Sequence, residues 1–258
     1  MSVAELPDVV TDRSTLGGRR LFLVWQNPET RRFVPVGALT RDSGGAFVFR
    51  YIRRSQQVPG FRPLPSFPRL DGVYRSADLP PFFDNRVMSA HRPDYPDYVR
   101  ALSLDLADAT PFEMLARTGG IRATDTFHVV ADPEVGPDGH VLTRFLAHGV
   151  RHLSGAAERI ARLSPGDALR LRPAPDNPYN QRALLIDAEA SVPVGYVPDW
   201  MLDFVHDLVA ADPGYRLIVE RANGPETPMH LRLLCRLEAD RPAGYRPFDN
   251  AEFDYVES

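Results

Sequence analysis

Residues 163–173, LSPGDALRLRP, set the fold class. The turn formers Ser164-Pro165-Gly166 stop the short helical pattern of Ala156 to Leu163. Beyond them the chain alternates strictly, Leu169 and Leu171 against Arg170 and Arg172. Successive side chains of a strand point to opposite faces, so the leucines go to a core and the arginines to the other face. Working outward, Ala183 to Asp187, Val194 to Val197, Tyr215 to Glu220 and Met229 to Leu237 read as further strands, and Val141 to Val150 as one before them. Asp199 stands where it would cap a helix carrying Leu202, Val205 and Leu208 on one side. Several short strands with two short helices suggest a small, partly open barrel over residues 141–240.

Ala131 to His140, ADPEVGPDGH, collects turn formers without an apolar face, and marks a domain boundary. Upstream, Leu21 to Trp25, Phe33 to Leu39 and Ala46 to Tyr51 read as strands, with Gly44-Gly45 as a hairpin turn. Pro59 to Pro68 and Leu79-Pro80-Pro81-Phe82-Phe83 read as extended segments packed through their aromatics. Val99, Leu102 and Leu106 recur at helical spacing. Thr110-Pro111-Phe112-Glu113 opens a second helix with a cap and a first-turn proline, and Gly119-Gly120 ends it. Residues 1–18 lack periodicity and read as a flexible tail, 19–130 as a small β-rich domain, and 241–258 as an acidic, aromatic tail. The class is therefore mainly β with short helices (α+β), in two domains.

All 30 basic residues are arginine. A chain without lysine cannot form the GxxxxGK[ST] phosphate loop, supply the strand lysine of a protein kinase or form a Schiff base. With Cys235 the only cysteine, a thiolate zinc cluster and an intrachain disulfide are also excluded. The seven histidines are scattered, and no GxSxG elbow or paired-carboxylate motif frames a hydrolase. The expectation is a protein without enzymatic activity, cofactor or metal. No apolar run approaches the roughly 20 residues of a membrane span, and Met1 to Val10 lacks the pattern of a signal peptide, so a cytoplasmic location is expected.

The net charge is −4, so a nucleic-acid footprint must be local. Arg144 to Arg182 holds seven arginines against Glu158, Asp167 and Asp176, while six arginines face 14 acids from Ala183 onward. A solvated arginine face is the plainer account of that cluster. Phe248 to Tyr255 interleaves aromatics with Asp249, Glu252 and Asp254, a pattern suited to occupying a basic, base-stacking groove or to a disordered acidic tail.

The segment Phe145 to Pro198 resembles a HIRAN domain. The resemblance runs through Gly149-Val150-Arg151-His152, Ser154-Gly155-Ala156-Ala157, Leu163-Ser164-Pro165-Gly166-Asp167 and Pro175-Asp176-Asn177-Pro178-Tyr179-Asn180, and ends in Val194-Gly195-Tyr196-Val197-Pro198. It implies an OB-like barrel that binds single-stranded DNA or DNA 3′ ends, with preference for a 3′ hydroxyl. The implied binding residues are Arg151, His152, Arg172, Asn177, Tyr179, Asn180 and Tyr196. Tyr179 would stack on a base, Arg151 and Arg172 would contact phosphates, and His152 would donate to a phosphate or stack. Asp176-Asn177-Pro178 reads equally as a turn, Tyr196 as core and His152 as a strand cap. Asn180 stands where the family pattern has an aspartate, so it offers a neutral acceptor without charge.

Val36-Gly37-Ala38-Leu39-Thr40-Arg41, Phe47-Val48-Phe49-Arg50-Tyr51, Leu64-Pro65 and Leu79 to Asn85 resemble the N-terminal region of HipA-type toxin kinases over roughly Leu21 to Gly120. An unrelated small β domain with a similar strand pattern remains open. The resemblance implies a partner-docking domain without the kinase core. Two functions are compatible with these readings: a nucleic-acid end binder with a docking module, or an antitoxin-like regulator that binds a HipA-type kinase or another protein without binding DNA.

Overall fold

The computed structural model describes residues 4–5, 20–122, 124–189 and 191–257. Over these the chain is mainly β, in a six-stranded and a seven-stranded antiparallel sheet with a few short helices. It divides into two compact units. Unit 1 holds the described residues up to Ala90, Thr110–Asp132 and the segment from Phe248; unit 2 holds His91–Ala109 and Pro133–Pro247.

Strands β1 (Ala4–Glu5), β2 (Leu21–Gln26), β3 (Phe33–Arg41), β4 (Phe47–Tyr51), β5 (Tyr74–Ser76) and β6 (Phe127–Ala131) build the unit 1 sheet in the order β1-β5-β4-β3-β2-β6. Apart from β1, the tail read over residues 1–18 lies outside the described residues. Leu21, Leu23, Leu39, Phe49, Tyr51, Phe67 and Phe83 are fully buried in one cluster. Tyr51 pins the proline-rich stretch: its hydroxyl donates to the Phe67 carbonyl (2.9 Å) and accepts from the Leu64 N–H (2.8 Å). Burial pushes that hydroxyl's pKa up, so it stays a donor. Pro81–Asp84 forms a helical turn, α1, rather than an extended segment, because proline fits the first helical position and the turn drives Phe83 into the core.

Between α1 and the next helix of unit 1 the chain enters unit 2, where α2 (Tyr95–Ala101) is shorter than the periodicity of Val99, Leu102 and Leu106 predicts. Ser103 takes a positive φ of 54° and ends it, leaving Leu106 61% exposed. Helix α3 (Pro111–Thr118) starts and stops as its sequence dictates. The Thr110 hydroxyl accepts from the Glu113 N–H (3.2 Å), and Gly119, at φ 73°, closes the C-terminus in the left-handed region.

The C-terminal stretch is woven into unit 1 and is not a loose tail. Phe248 and Phe253 lie edge-on to Phe22 at 5.3 and 5.4 Å, and Arg50 sits 4.5 Å over the Tyr255 ring. Ile52 and Tyr255 form a bridge, and the Val256 N–H donates to the Tyr51 carbonyl (3.0 Å). These rings pack on their own unit, which overturns the reading of a disordered acidic tail and engages them with Phe22 and Arg50 instead of a basic, base-stacking groove.

Unit 2 contains β7 (Glu134–Val135), β8 (His140–Leu146), α4 (Ala156–Ile160), β9 (Ala168–Pro173), β10 (Leu184–Glu189), β11 (Val192–Tyr196), α5 (Leu202–Ala211), β12 (Arg216–Ala222) and β13 (Leu233–Asp240). The sheet order is β11-β10-β9-β12-β13-β8-β7. It does not close into the barrel that the OB-like expectation implies. One isolated bridge, His148 to Tyr196, joins the end of β8 to β11 through reciprocal 2.9 Å hydrogen bonds. Leu169 is buried and Arg170 exposed, as the alternation requires. Leu217, Val219, Cys235 and Leu237 continue the buried face, and burial pushes the Cys235 thiol's pKa up, leaving it a protonated core residue. Among the described residues no helix is long and apolar enough to cross a membrane.

Candidate nucleic-acid interface

Between β9 and β10 the chain makes a loop whose own side chains hold it in shape. The Asn177 Oδ1 accepts from the backbone N–H of Tyr179 (2.9 Å) and of Asn180 (3.2 Å), an Asx turn. The Asn180 Oδ1 accepts from the Arg182 N–H (2.9 Å), and its Nδ2 donates to Asp199. Arg182 reaches Asp203 with its guanidinium and accepts at its carbonyl from His206 Nε2 (2.9 Å), which ties the loop to α5. From this frame Tyr179 projects 95% exposed.

Asp199 therefore does not cap α5, as the sequence suggests. It opens a short 3₁₀ turn, Asp199–Met201, and its carboxylate serves the loop three residues beyond β11. The next residue, Trp200, meets the His148 ring edge-on at 4.7 Å.

Tyr196 ends β11 half-buried. Its ring lies against Gly149, where an added β-carbon would come within 2.8 Å of Tyr196 Cδ2 and where φ is +66°, so the close approach and the backbone both demand glycine. That contact sets Tyr196 beside the 3₁₀ turn Val150–His152. Arg151 and His152 are both exposed on this turn, and the Arg151 Nε donates to His152 Nε2 (3.0 Å).

Arg172 shares a face with Tyr196 through Leu185, which is the register partner of both. Its guanidinium forms two hydrogen bonds to Asp187, at 2.6 and 3.0 Å, while Asp187 is almost fully buried. The Asp187 hydrogen bond raises the Arg172 pKa further, so its charge is permanent but largely neutralised. The seven residues read from sequence thus fall into two roles. Tyr179, Arg151, His152 and Tyr196 present surfaces, whereas Asn177, Asn180 and much of Arg172 are spent on holding the frame. Asp187, Asp199 and Trp200 complete the site and were not singled out for it. Among the described residues no three His, Cys, Asp or Glu side chains are grouped to hold a metal ion.

Unit 2 is thus a small antiparallel β domain with an exposed aromatic and basic rim. Residues 140–239 match the HIRAN domain, against the 141–240 span read from the sequence. No curated protein matches the chain. The match begins at residue 140, so the resemblance of Leu21 to Gly120 to HipA-type kinases rests on the residues quoted for it alone.

Proposed function

We propose that unit 2 binds single-stranded DNA, including its 3′ ends, and that the protein is a binding module without catalytic activity. One observation carries this reading: a tyrosine 95% exposed at the tip of a loop that four side-chain hydrogen bonds hold in place. An aromatic face held rigidly in solvent stacks on any base, and a base stacked in this way contributes about 1–3 kcal/mol. Arg151, on the 3₁₀ turn beside Tyr196, supplies a cation for a phosphate, and the Tyr196 ring a second surface. Fluorescence anisotropy with labelled single-stranded and duplex oligonucleotides tests the proposal. Single strands should bind more tightly, with an affinity that falls as salt rises. Equal weak binding to both, or none, would sink it.

A further inference from the structure

In the unit 2 sheet, β9 and β12 part after only two register pairs, Leu217 with Leu169 and Ile218 with Ala168. The next pair in that register is Arg216 opposite Arg170. Here the chain turns away, the Tyr215 N–H donating to the Asp212 carbonyl (3.2 Å), and a cleft of about 460 Å³ opens. Arg170, Leu171, Pro213, Tyr215 and Arg216 line it, and no carboxylate is among its lining residues.

The neighbouring acids are shared with other arginines. Asp187 holds Arg172, and Glu238 lies closer to Arg236 (2.9 Å) than to Arg216 (3.4 Å), whose side chain is 69% exposed. Among the described residues Arg170 has no ion-pair partner. In a protein with a net charge of −4, two cations facing a carboxylate-free cleft mark a place for an anion. The same face leads to it in two neighbouring rows: Arg172 on β9 is level with Leu185 on β10 and Tyr196 on β11, and Arg170, two residues along β9, is level with Asp187 on β10 and Arg216 on β12. With strands about 4.8 Å apart, this arginine-bearing face spans about 14 Å from β11 to β12.

We propose that the β9–β12 cleft is a second backbone site for the same nucleic-acid strand, in which Arg170 and Arg216 bind phosphodiester groups and Tyr215 offers a ring to a base. The strand that stacks on Tyr179 passes Tyr196 and follows the arginines into the cleft. This rests on the single-strand-binding reading above. The test compares the full chain with an Arg170→Gln/Arg216→Gln variant, using labelled oligothymidines of about 4 and about 12 nucleotides. The longer strand should lose roughly tenfold in affinity, and its salt slope should fall by about 1.4, or about 0.7 for each of two phosphate contacts. The shorter strand should bind both proteins alike. A variant that binds the longer strand as well as the wild type, or loses both lengths equally, overturns the cleft while leaving Tyr179-dependent binding intact. Wild-type protein that binds neither length overturns the cleft and the underlying function together. Should the double variant unfold at a lower temperature, Arg170→Gln alone serves, since Arg170 has no ion-pair partner among the described residues and a neutral side chain opposite Asp187 adds no like charge.

Discussion

Two stretches of this chain set aromatic rings among acids and turn formers, the C-terminal run Phe248 to Tyr255 and the loop Asp176 to Asn180, and they end in opposite environments. Phe253 is 5% exposed and packs on Phe22, whereas Tyr179 is 95% exposed. Composition does not separate them. What does is the partner offered by distant chain: unit 1 presents the Phe22 ring and the free edge at Tyr51 and Ile52, while the loop in unit 2 spends its polar groups on itself and leaves the ring unopposed. A ring that fills a core stabilises the fold; one held outside it is available to a ligand.

The most severe way to probe this contrast is to delete residues 248–258. Unit 1 would lose Phe253 and Val256 from its buried set, the Ile52–Tyr255 bridge and the Arg53–Asp254 ion pair (3.6 Å). Cooperative urea unfolding of unit 1 should then disappear, and Phe253→Ala alone should cost about 3–4 kcal/mol. A truncated chain with unchanged stability and tighter DNA binding would instead restore the tail as an inhibitor.

Acid should distinguish the units next. His128 on β6 meets Phe33 edge-on at 4.9 Å, and burial, then the Arg86 charge, lowers its pKa to about 4. The folded state refuses a proton that the unfolded state accepts below about pH 6.5. Its stabilisation is therefore complete above that pH and is lost as pH falls through about 4, on the order of 3 kcal/mol. Urea midpoints recorded across this window should fall for the wild type and stay flatter for His128→Phe.

Features that depend on near neighbours were legible in the sequence. The Leu169–Arg170 alternation, the Thr110 cap and the Gly119 stop are each decided within a few residues, and the structure realises them, while Leu171 and Arg172 are both half-buried and do not continue the alternation. The exposed tyrosine was legible too, because an Asn-Pro-Tyr-Asn turn holds its own ring outward. Leu106 kept its helical spacing but not its helix, since Ser103 turned the chain first. Asp199 carries the local signature of a cap, yet its carboxylate goes to Asn180, 19 residues away. The destination of the C-terminal rings was set by Phe22, more than two hundred residues upstream, which no local pattern encodes.

Tyr179→Ala is the direct counterpart of Phe253→Ala. Stability should stay within about 0.5 kcal/mol, because the ring supports no core. Affinity for single strands should fall by about 1–3 kcal/mol, measured by anisotropy at fixed salt. Loss of stability without loss of binding would reverse the roles assigned to the two aromatic stretches.

The smallest and most selective change is Asn180→Asp. Read from sequence alone, it should restore a carboxylate beside a strand end and sharpen preference for a 3′ hydroxyl over a 3′ phosphate. The loop geometry predicts otherwise. The Asn180 Nδ2 donates to Asp199 while its Oδ1 accepts from the Arg182 N–H, so aspartate keeps the acceptor, loses the donor and sets two carboxylates against each other. Losing a hydrogen bond to a charged group costs about 1.5–3 kcal/mol where the group is buried, and somewhat less in this half-buried loop. Tyr179 would then be held less firmly, and oligonucleotides with either end should bind more weakly by a similar factor. Exchanging both residues, Asn180→Asp with Asp199→Asn, returns a donor to the pair with its direction reversed. That variant should recover stability and carry its carboxylate at position 180, where end preference should now sharpen. The ratio of affinities for hydroxyl-ended and phosphate-ended strands, measured in wild type, single variant and exchange, separates the two accounts. If the single variant alone shifts that ratio with no loss of stability, the Asn180 amide is not holding the loop, and Tyr179 owes its exposure to something other than the Asn180–Asp199 hydrogen bond.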